Sequence, residues 1–209
     1  LTARATHGYD EATKSFHAML IDGTKLGPAD VKISGYVKPE RLEKRPVDSR
    51  HFLAYALAYK LTGDKLMWRM TRSIASALEF GELGVEPGRP GAVDRATSND
   101  DPLVIFGLLE LYGGTGDKAY VDLARRVADN ALTARVHNGF FVPSQDHLFA
   151  SFDDPVPLAL LHLRAAMLEV SEKPPAFWCG RGYFHCPYDG KGRTYDVRVI
   201  YPQLRHETN

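Results

Sequence analysis

Cysteine is scarce in this sequence, and net charge is absent. Only Cys179 and Cys186 occur among 209 residues, too few for a disulfide scaffold, and whether they pair stays open. Lys and Arg together number 26, as do Asp and Glu, so no overall field attracts nucleic acid and a charged ligand must be recognised by a local patch. No run reaches the roughly 18 apolar residues of a membrane helix. We therefore expect neither a nucleic-acid partner nor a membrane span.

A repeat of 53 residues organises the chain. The peptide Thr-Gly-Asp-Lys begins at Thr62 and again at Thr115, and the same offset carries Asp48 onto Asp101 and Asp154. Each of these aspartates stands just before an apolar run, and aspartate followed by proline marks two of the starts, which is typical of a helix N-terminus. Three equivalent buried helices are predicted, over about 49–61, 102–113 and 155–170.

The Thr-Gly-Asp-Lys peptide itself predicts a turn rather than a phosphate or metal loop. Gly63 and Gly116 follow the predicted helices and suit C-caps, while Asp64 and Asp117 suit the N-caps of the next helices. The runs "KLMWRMTRSIASALEF" and "KAYVDLARRVADNAL" then alternate apolar and charged residues at helical spacing. Each unit is predicted to be a buried inner helix, a tight turn and an amphipathic outer helix.

The longer connections predict β-hairpins. Asp-Gly or Asn-Gly turns between strand-like runs occur in "TKSFHAMLIDGTKL" and "HNGFFVPSQDHLFASF", and "GRGYFHCPYDGKGRTYDVRVIY" has the same pattern. The period exceeds those of tetratricopeptide and ankyrin repeats, and inner helices that are apolar all round suggest a closed double ring. We therefore predict an all-α (α/α) toroid with short hairpins on one face. Because a full ring needs more residues, residues 1–209 are expected to form a single domain that is the C-terminal part of such a ring.

The hairpins and other long connections gather at the N-termini of the predicted inner helices, where free N–H groups favour anionic ligands. The basic run "KPERLEKR", with Arg41 and Arg45, also reaches this face, but its two glutamates favour a solvated loop. Arginines with interleaved aromatic rings suit an acidic sugar chain. Seven candidate ligand-binding residues result: Arg50, His51, Arg95, His147, Arg181, His185 and Arg193.

Three runs together carry a family resemblance. "YALAYKLTGDKLMWRMTRSIA", "LLELYGGTGDKAYVDLARRVADN" and the C-terminal "RGYFHCPYDGKGRTYDVRVIY" resemble pectate lyases of polysaccharide lyase family 2. The resemblance implies an (α/α)7 barrel that cleaves polygalacturonate by β-elimination, in the periplasm or cytoplasm of a pectin-degrading bacterium. It also implies an arginine base and a divalent transition metal such as Mn²⁺, held by histidines and a glutamate that are expected upstream of this chain. This chain is then expected to supply substrate-binding subsites and to be inactive alone.

Two alternatives remain open at the sequence level. A glycoside hydrolase or sugar epimerase of the same fold would place a pair of carboxylates or histidines in the cleft instead of arginines. A non-catalytic helical-repeat module would form an open superhelix, against which the hydrophobic inner helices weigh.

Overall fold

The computed structural model describes residues 1–30, 39–89, 91–142, 154–170 and 174–175, together with the backbone of residues 150–151, 185–186, 193–194 and 199–200. Two compact units are present. The first unit contains Leu1–Thr97 and Gly107–Leu123, and the second contains Ser98–Phe106 and Ala124–Asn209. The described residues are mainly helical with small sheets, in agreement with the predicted all-α class. The single domain over 1–209 stays a prediction.

Five α-helices occur in the described part of the chain: α1 Ser49–Thr62, α2 Lys65–Ala77, α3 Pro102–Thr115, α4 Ala119–Arg135 and α5 Val156–Met167. Helices α1, α3 and α5 lie where the repeat predicts inner helices, and α2 and α4 lie where it predicts outer ones. None of the helices in this part has both the length and the apolar character that crossing a bilayer requires.

Aspartates cap the helices that the repeat relates. Asp48 accepts a hydrogen bond from a backbone amide three residues later at 3.1 Å, and Asp101 and Asp154 each accept one from two residues later at 2.9 Å. These bonds satisfy amides that have no partner within the helix. Positions related by the 53-residue offset therefore carry the same helix-capping aspartate, as the sequence predicts.

The two Thr-Gly-Asp peptides form the same turn. Gly63 and Gly116 adopt left-handed backbone conformations, with φ of 65° and 74°. The amide of each glycine donates to the carbonyl of the tyrosine four residues earlier at 2.7 Å. Asp64 and Asp117 then accept from amides two residues later, at 2.6 and 2.9 Å. The prediction of a structural turn is confirmed, and no phosphate-binding role is needed to explain the peptide.

Burial differs among the three inner helices. Val104, Ile105, Leu108 and Leu111 of α3 are fully buried, as predicted for an inner helix. Helices α1 and α5 bury one side and expose apolar side chains on another: Leu57 and Leu61 on α1, and Leu161 and Met167 on α5. The expectation of inner helices buried on most sides therefore holds for α3 and overestimates the burial of α1 and α5. An apolar sequence limits which residues can be buried but does not supply the neighbours that cover them.

Short strands occur in the predicted hairpins and also in two segments outside them, Tyr9–Asp10 and Arg45–Pro46. The first unit contains β1 Tyr9–Asp10, β2 Ser15–Phe16, β3 Ala18–Met19, β4 Lys25–Leu26 and β5 Arg45–Pro46. Strands β1, β2 and β5 form an antiparallel sheet with β2 in the middle, and β3 pairs with β4. The central strand thus joins the start of the chain to the segment that leads into α1.

The second unit contains three further strand pairs. They are built from β6 Val136–His137, β7 Phe140–Phe141, β8 Ala150–Ser151, β9 His185–Cys186, β10 Arg193–Thr194 and β11 Val199–Ile200. Strand β6 pairs with β7 around Asn138 and Gly139, β8 pairs with β9, and β10 pairs with β11. The loop over residues 80–99, which the sequence predicts to lack a hairpin, has only a bridge between Gly81 and Val93 among its described residues.

Candidate functional site

A cavity of about 570 Å³ lies in the first unit, within the size range of ligand pockets. We call it the basic cavity, and its lining residues are Arg4, Phe16, His17, Ala18, Arg41, Glu43 and Arg45. They come from a helical turn near the start of the chain, from β2 and β3 with their junction, and from the segment that precedes α1. Antiparallel pairing of β2 with β5 places Phe16 directly opposite Arg45. The sheet therefore brings together residues that are about thirty positions apart in sequence.

Phe16 and its neighbours form an aromatic and cationic stack in this cavity. The Phe16 side chain is buried, and its ring stacks on the imidazole of His51 with centroids 4.8 Å apart. The Arg4 guanidinium carbon lies 4.7 Å from the centroid of the same ring, within the range of cation–π attraction. Arg4 Nη2 also lies 3.4 Å from His51 Nε2. The cation–π contact thus places the Arg4 guanidinium over the ring, while the Arg4 residue stays exposed.

The cavity has a positive charge that its own side chains do not cancel. Its described lining contains three arginines and one glutamate. Arg41 and Arg45 have no ion-pair partner among the described residues, whereas neighbouring Lys44 is held by Asp10 at 2.6 Å. Burial and the nearby Lys25 and Lys44 lower the pKa of His17 more than Asp10 raises it, so His17 is neutral at neutral pH. The unpaired guanidinium groups can therefore bind an anion.

His51 and Asp48 form a paired unit at the first turn of α1. His51 Nδ1 lies 2.7 Å from Asp48 Oδ1 and 3.2 Å from the Asp48 backbone nitrogen, contacts that require opposite tautomers. The contact with the Asp48 amide has hydrogen-bond geometry and completes a capping box, in which His51 Nδ1 accepts from the Asp48 amide and the Asp48 carboxylate accepts from the His51 amide. Burial, together with the charges of Arg4 and Arg50, lowers the pKa of His51 more than Asp48 raises it, so the ring is neutral at neutral pH.

Asp48 also holds Arg50. Burial would raise the pKa of the Asp48 carboxyl, but the hydrogen bond from the His51 amide and the charges of its neighbours lower it overall. Nε and Nη2 of Arg50 lie 3.1 and 2.9 Å from Asp48 Oδ2. The Arg50 side chain is 80% exposed. Asp48 therefore links the helix cap, the imidazole and an exposed guanidinium at one end of α1.

The predicted site residues have different surroundings. His51 stacks on Phe16 of the basic cavity, and Arg50 is the residue before His51 on α1. Arg95 forms an ion pair with Asp122 at 3.2 Å and does not line the cavity. His147 and Arg181 lie outside the described residues. His185 and Arg193 are described as backbone only, in β9 and β10.

Four basic residues of the cavity are missing from the sequence-based candidates. Arg41 and Arg45 belong to the run interpreted as a solvated loop, and they are indeed exposed, but they line the cavity. His17 lies in a predicted hairpin on the predicted functional face, so that prediction could have identified it. Arg4 precedes this hairpin in a stretch without a motif, and no sequence signal indicated its position.

The described residues do not assemble a metal centre. Among them, no three His, Cys, Asp or Glu side chains come together in a way that could hold a metal ion. The His51 and Asp48 pair resembles the carboxylate–imidazole pair that often supports a metal-binding histidine, but it supplies only one such ligand. No chemical step is therefore assigned to a metal here.

Comparison with known proteins relates the chain to a protein family and to a curated enzyme. The periplasmic pectate lyase family matches residues 1–187. The chain is 26% identical over 202 residues to a pectate disaccharide-lyase of Dickeya dadantii (strain 3937), a match that covers 94% of this chain and 35% of that protein. The chain thus spans about a third of the length of this curated relative.

Proposed function

The chain belongs to the periplasmic pectate lyase family, and from this premise we propose that it supplies substrate-binding subsites of a lyase that cleaves polygalacturonate by β-elimination. The observation that carries the proposal is the basic cavity, in which Arg4, Arg41 and Arg45 surround a buried aromatic ring. Guanidinium groups bind carboxylates through paired hydrogen bonds, and each galacturonate unit carries one carboxylate. An acidic sugar chain is therefore the ligand class that fits this lining.

The same arginines suit the chemistry of β-elimination. In this reaction the proton on C5 of a uronate is removed, the C4–O bond breaks, and a double bond forms between C4 and C5. Negative charge spreads onto the C6 carboxylate as the proton leaves. Arginines that bind this carboxylate lower the energy of the charged transition state, and this effect is larger where water is excluded. Arg41 and Arg45 are the residues to which we assign this charge-neutralising role.

The remaining candidates are proposed as neighbouring subsites. His51 stacks on Phe16 of the basic cavity, Arg50 precedes it on α1, and we propose that both contact an adjacent sugar unit. Arg95, His147, Arg181, His185 and Arg193 stay proposed substrate-binding residues on the predicted functional face. A divalent metal such as Mn²⁺ also stays a proposal that rests on the family resemblance, with no ligands assigned among the described residues.

We further propose the (α/α) toroid architecture and a periplasmic location. The repeated cap, turn and helix pair support the toroid, because each repeat builds the same two-helix unit. The toroid prediction places the ligand-binding face at the N-termini of the inner helices, away from the Thr-Gly-Asp turns. The position of the cavity agrees with this prediction, because His51, which stacks on Phe16 of the cavity, lies roughly 18 Å along α1 from the turn at Gly63. The description of the family as periplasmic supports that compartment over the cytoplasm.

The charge of the cavity weighs against a hydrolase or epimerase of the same fold. Acid and base catalysis of glycoside hydrolysis needs two carboxyl groups flanking the scissile bond. Among its described lining residues, the basic cavity contains one carboxylate, Glu43, against three arginines. A cleft of this kind favours an anionic ligand over a neutral sugar.

Titration calorimetry with trigalacturonate and its methyl ester tests the binding proposal. We expect binding of the free acid only, with an affinity that falls as salt is added. Arg41→Gln and Arg45→Gln should each weaken binding by about tenfold, since one charge-assisted hydrogen bond contributes about 1.5 kcal/mol or more. Arg89→Gln is the matched control, because Arg89 is exposed, pairs with Glu86 and lies outside the cavity. Equal affinity for acid and ester would contradict the proposal.

The lyase activity has its own test. Polygalacturonate is incubated with the full-length protein, with and without a chelator, and the ultraviolet absorbance of the unsaturated uronate product is followed. The absorbance should rise, and the chelator should slow the rise. No rise in the presence of added Mn²⁺ would rule out the proposed reaction.

A further inference from the structure

A second polar cluster lies in the first unit, on helix α2. We call it the serine network, and it contains Tyr9, Glu11, Lys14 and Ser73. The Ser73 side chain is buried, and its Oγ lies 2.6 Å from Tyr9 Oη, 2.8 Å from Lys14 Nζ and 2.7 Å from Glu11 Oε1. A lysine ammonium only donates and a carboxylate only accepts, so Ser73 donates to Glu11 and accepts from Lys14 and Tyr9. The hydrogen-bonding capacity of this hydroxyl is filled.

The network keeps its protonation states over a wide pH range. Burial would raise the pKa of Glu11, but hydrogen bonds from Lys14 and Ser73 lower it overall, so the carboxylate is charged at neutral pH. Burial raises the pKa of Tyr9, so its hydroxyl stays protonated. Lys14 also forms an ion pair with Glu11. Among the described residues, the Ser73 hydroxyl thus contacts an ammonium, a phenol and a carboxylate that is already paired with Lys14.

Two partners of Ser73, Glu11 and Lys14, lie in the turn between β1 and β2, and the third, Tyr9, lies in β1. The same turn is held from its other side by the segment before α1. Asp10 binds Lys44 at 2.6 Å, and the backbone carbonyl of Lys14 accepts from the Val47 amide at 3.0 Å. The turn is thus fixed between α2 and the segment that carries Arg41 and Arg45.

Strand β2 begins directly after this turn, and it carries one wall of the basic cavity. Phe16 is two residues beyond Lys14, pairs with Arg45 across the sheet, and supports Arg4 and His51. We propose that Ser73 is a positioning residue, which fixes the turn on α2 and thereby sets the geometry of the arginines in the basic cavity. The functional part of this inference rests on the proposed binding of acidic sugars.

Amide hydrogen exchange tests the structural part without a ligand. Ser73→Ala removes all three hydrogen bonds at once. We expect amide exchange about tenfold faster at His17 and Val47, whose amides bond to Gly8 and Lys14, and unchanged exchange in the middle of α2. Ser76→Ala is the matched control, because Ser76 is exposed and lies on the same side of helix α2 as Ser73. Equal exchange in the two variants, or a loss of protection along all of α2, would overturn the inference.

Binding of trigalacturonate tests the functional part. Ser73→Ala should raise the Kd about fivefold, Ser76→Ala should leave it unchanged, and Ser73→Thr, which keeps the hydroxyl, should restore it. If Ser73 acts through the cavity, Ser73→Ala should raise the Kd less in the Arg45→Gln variant than in the wild type. Unchanged affinity in Ser73→Ala would overturn the positioning role while leaving the proposed function intact. Absence of binding in the wild type would instead contradict the proposed function, and hydrogen exchange would still decide whether Ser73 fixes the cavity wall.

Discussion

Helix α3 packs tightly against α1 at Gly107, and this contact can be tested by adding a single methyl group. A Cβ atom at Gly107 would lie 2.6 and 2.7 Å from two ring carbons of Phe52 and 3.4 Å from the Cα of Leu53. The Phe52 ring is fully buried and packs against Phe80 at 5.7 Å, so it has little room to move. Gly107→Ala should therefore strain the packing of the two inner helices.

Two opposing effects set the change in the free energy of unfolding of the Gly107→Ala variant. Alanine favours a helix over glycine by about 1 kcal/mol, whereas overpacking a buried site costs about 1–3 kcal/mol. Because the atoms in the way belong to a confined ring, we expect the higher cost and a net loss of about 1–2 kcal/mol. For a chain of this size, that loss corresponds to a fall in Tm of roughly 2–8 °C.

Gly114→Ala provides the matched control in the same helix. Its added Cβ would lie 3.5 Å from Lys60, an ordinary van der Waals contact, so the helix-propensity gain should appear as a rise in Tm of roughly 2–4 °C. Calorimetry of both variants measures the difference, and Gly107→Ala combined with Phe52→Leu should recover part of the loss. A Gly107→Ala variant as stable as Gly114→Ala would refute the close approach of α1 and α3.

Two further predictions concern the turns and the imidazole. Gly63→Ala and Gly116→Ala should each lower the free energy of unfolding by about 1 kcal/mol in urea titrations, because both positions need positive φ and neither added Cβ meets another atom. A loss at only one of them would contradict the equivalence of the two turns. His51 has a pKa lowered by burial in the folded state, so the unfolded chain binds its proton more readily. Its contribution to stability should be constant above about pH 7 and fall as pH drops through about 6.5. Urea titrations at pH 7 and 5 should show a smaller pH effect in His51→Gln, and an equal effect would contradict the buried neutral imidazole.

The residues that could be predicted correctly are those whose role is local. Asp48 caps α1 through an amide three residues away, and Gly63 ends it with a bond to a carbonyl four residues away. Such interactions depend on nearby backbone atoms alone, so the sequence determines them. The 53-residue offset then extended each local inference to its equivalent position along the chain.

Only the tertiary structure decided where the basic cavity lies and which arginines line it. Arg4 and Arg45 come from segments about forty residues apart, and β2 brings them together through Phe16. A charged side chain has no periodic signal of its own, because its position depends on the packing of the elements around it. The sequence therefore determined the helices, their caps and the repeat, whereas the long-range pairing of β2 with β5 created the candidate site.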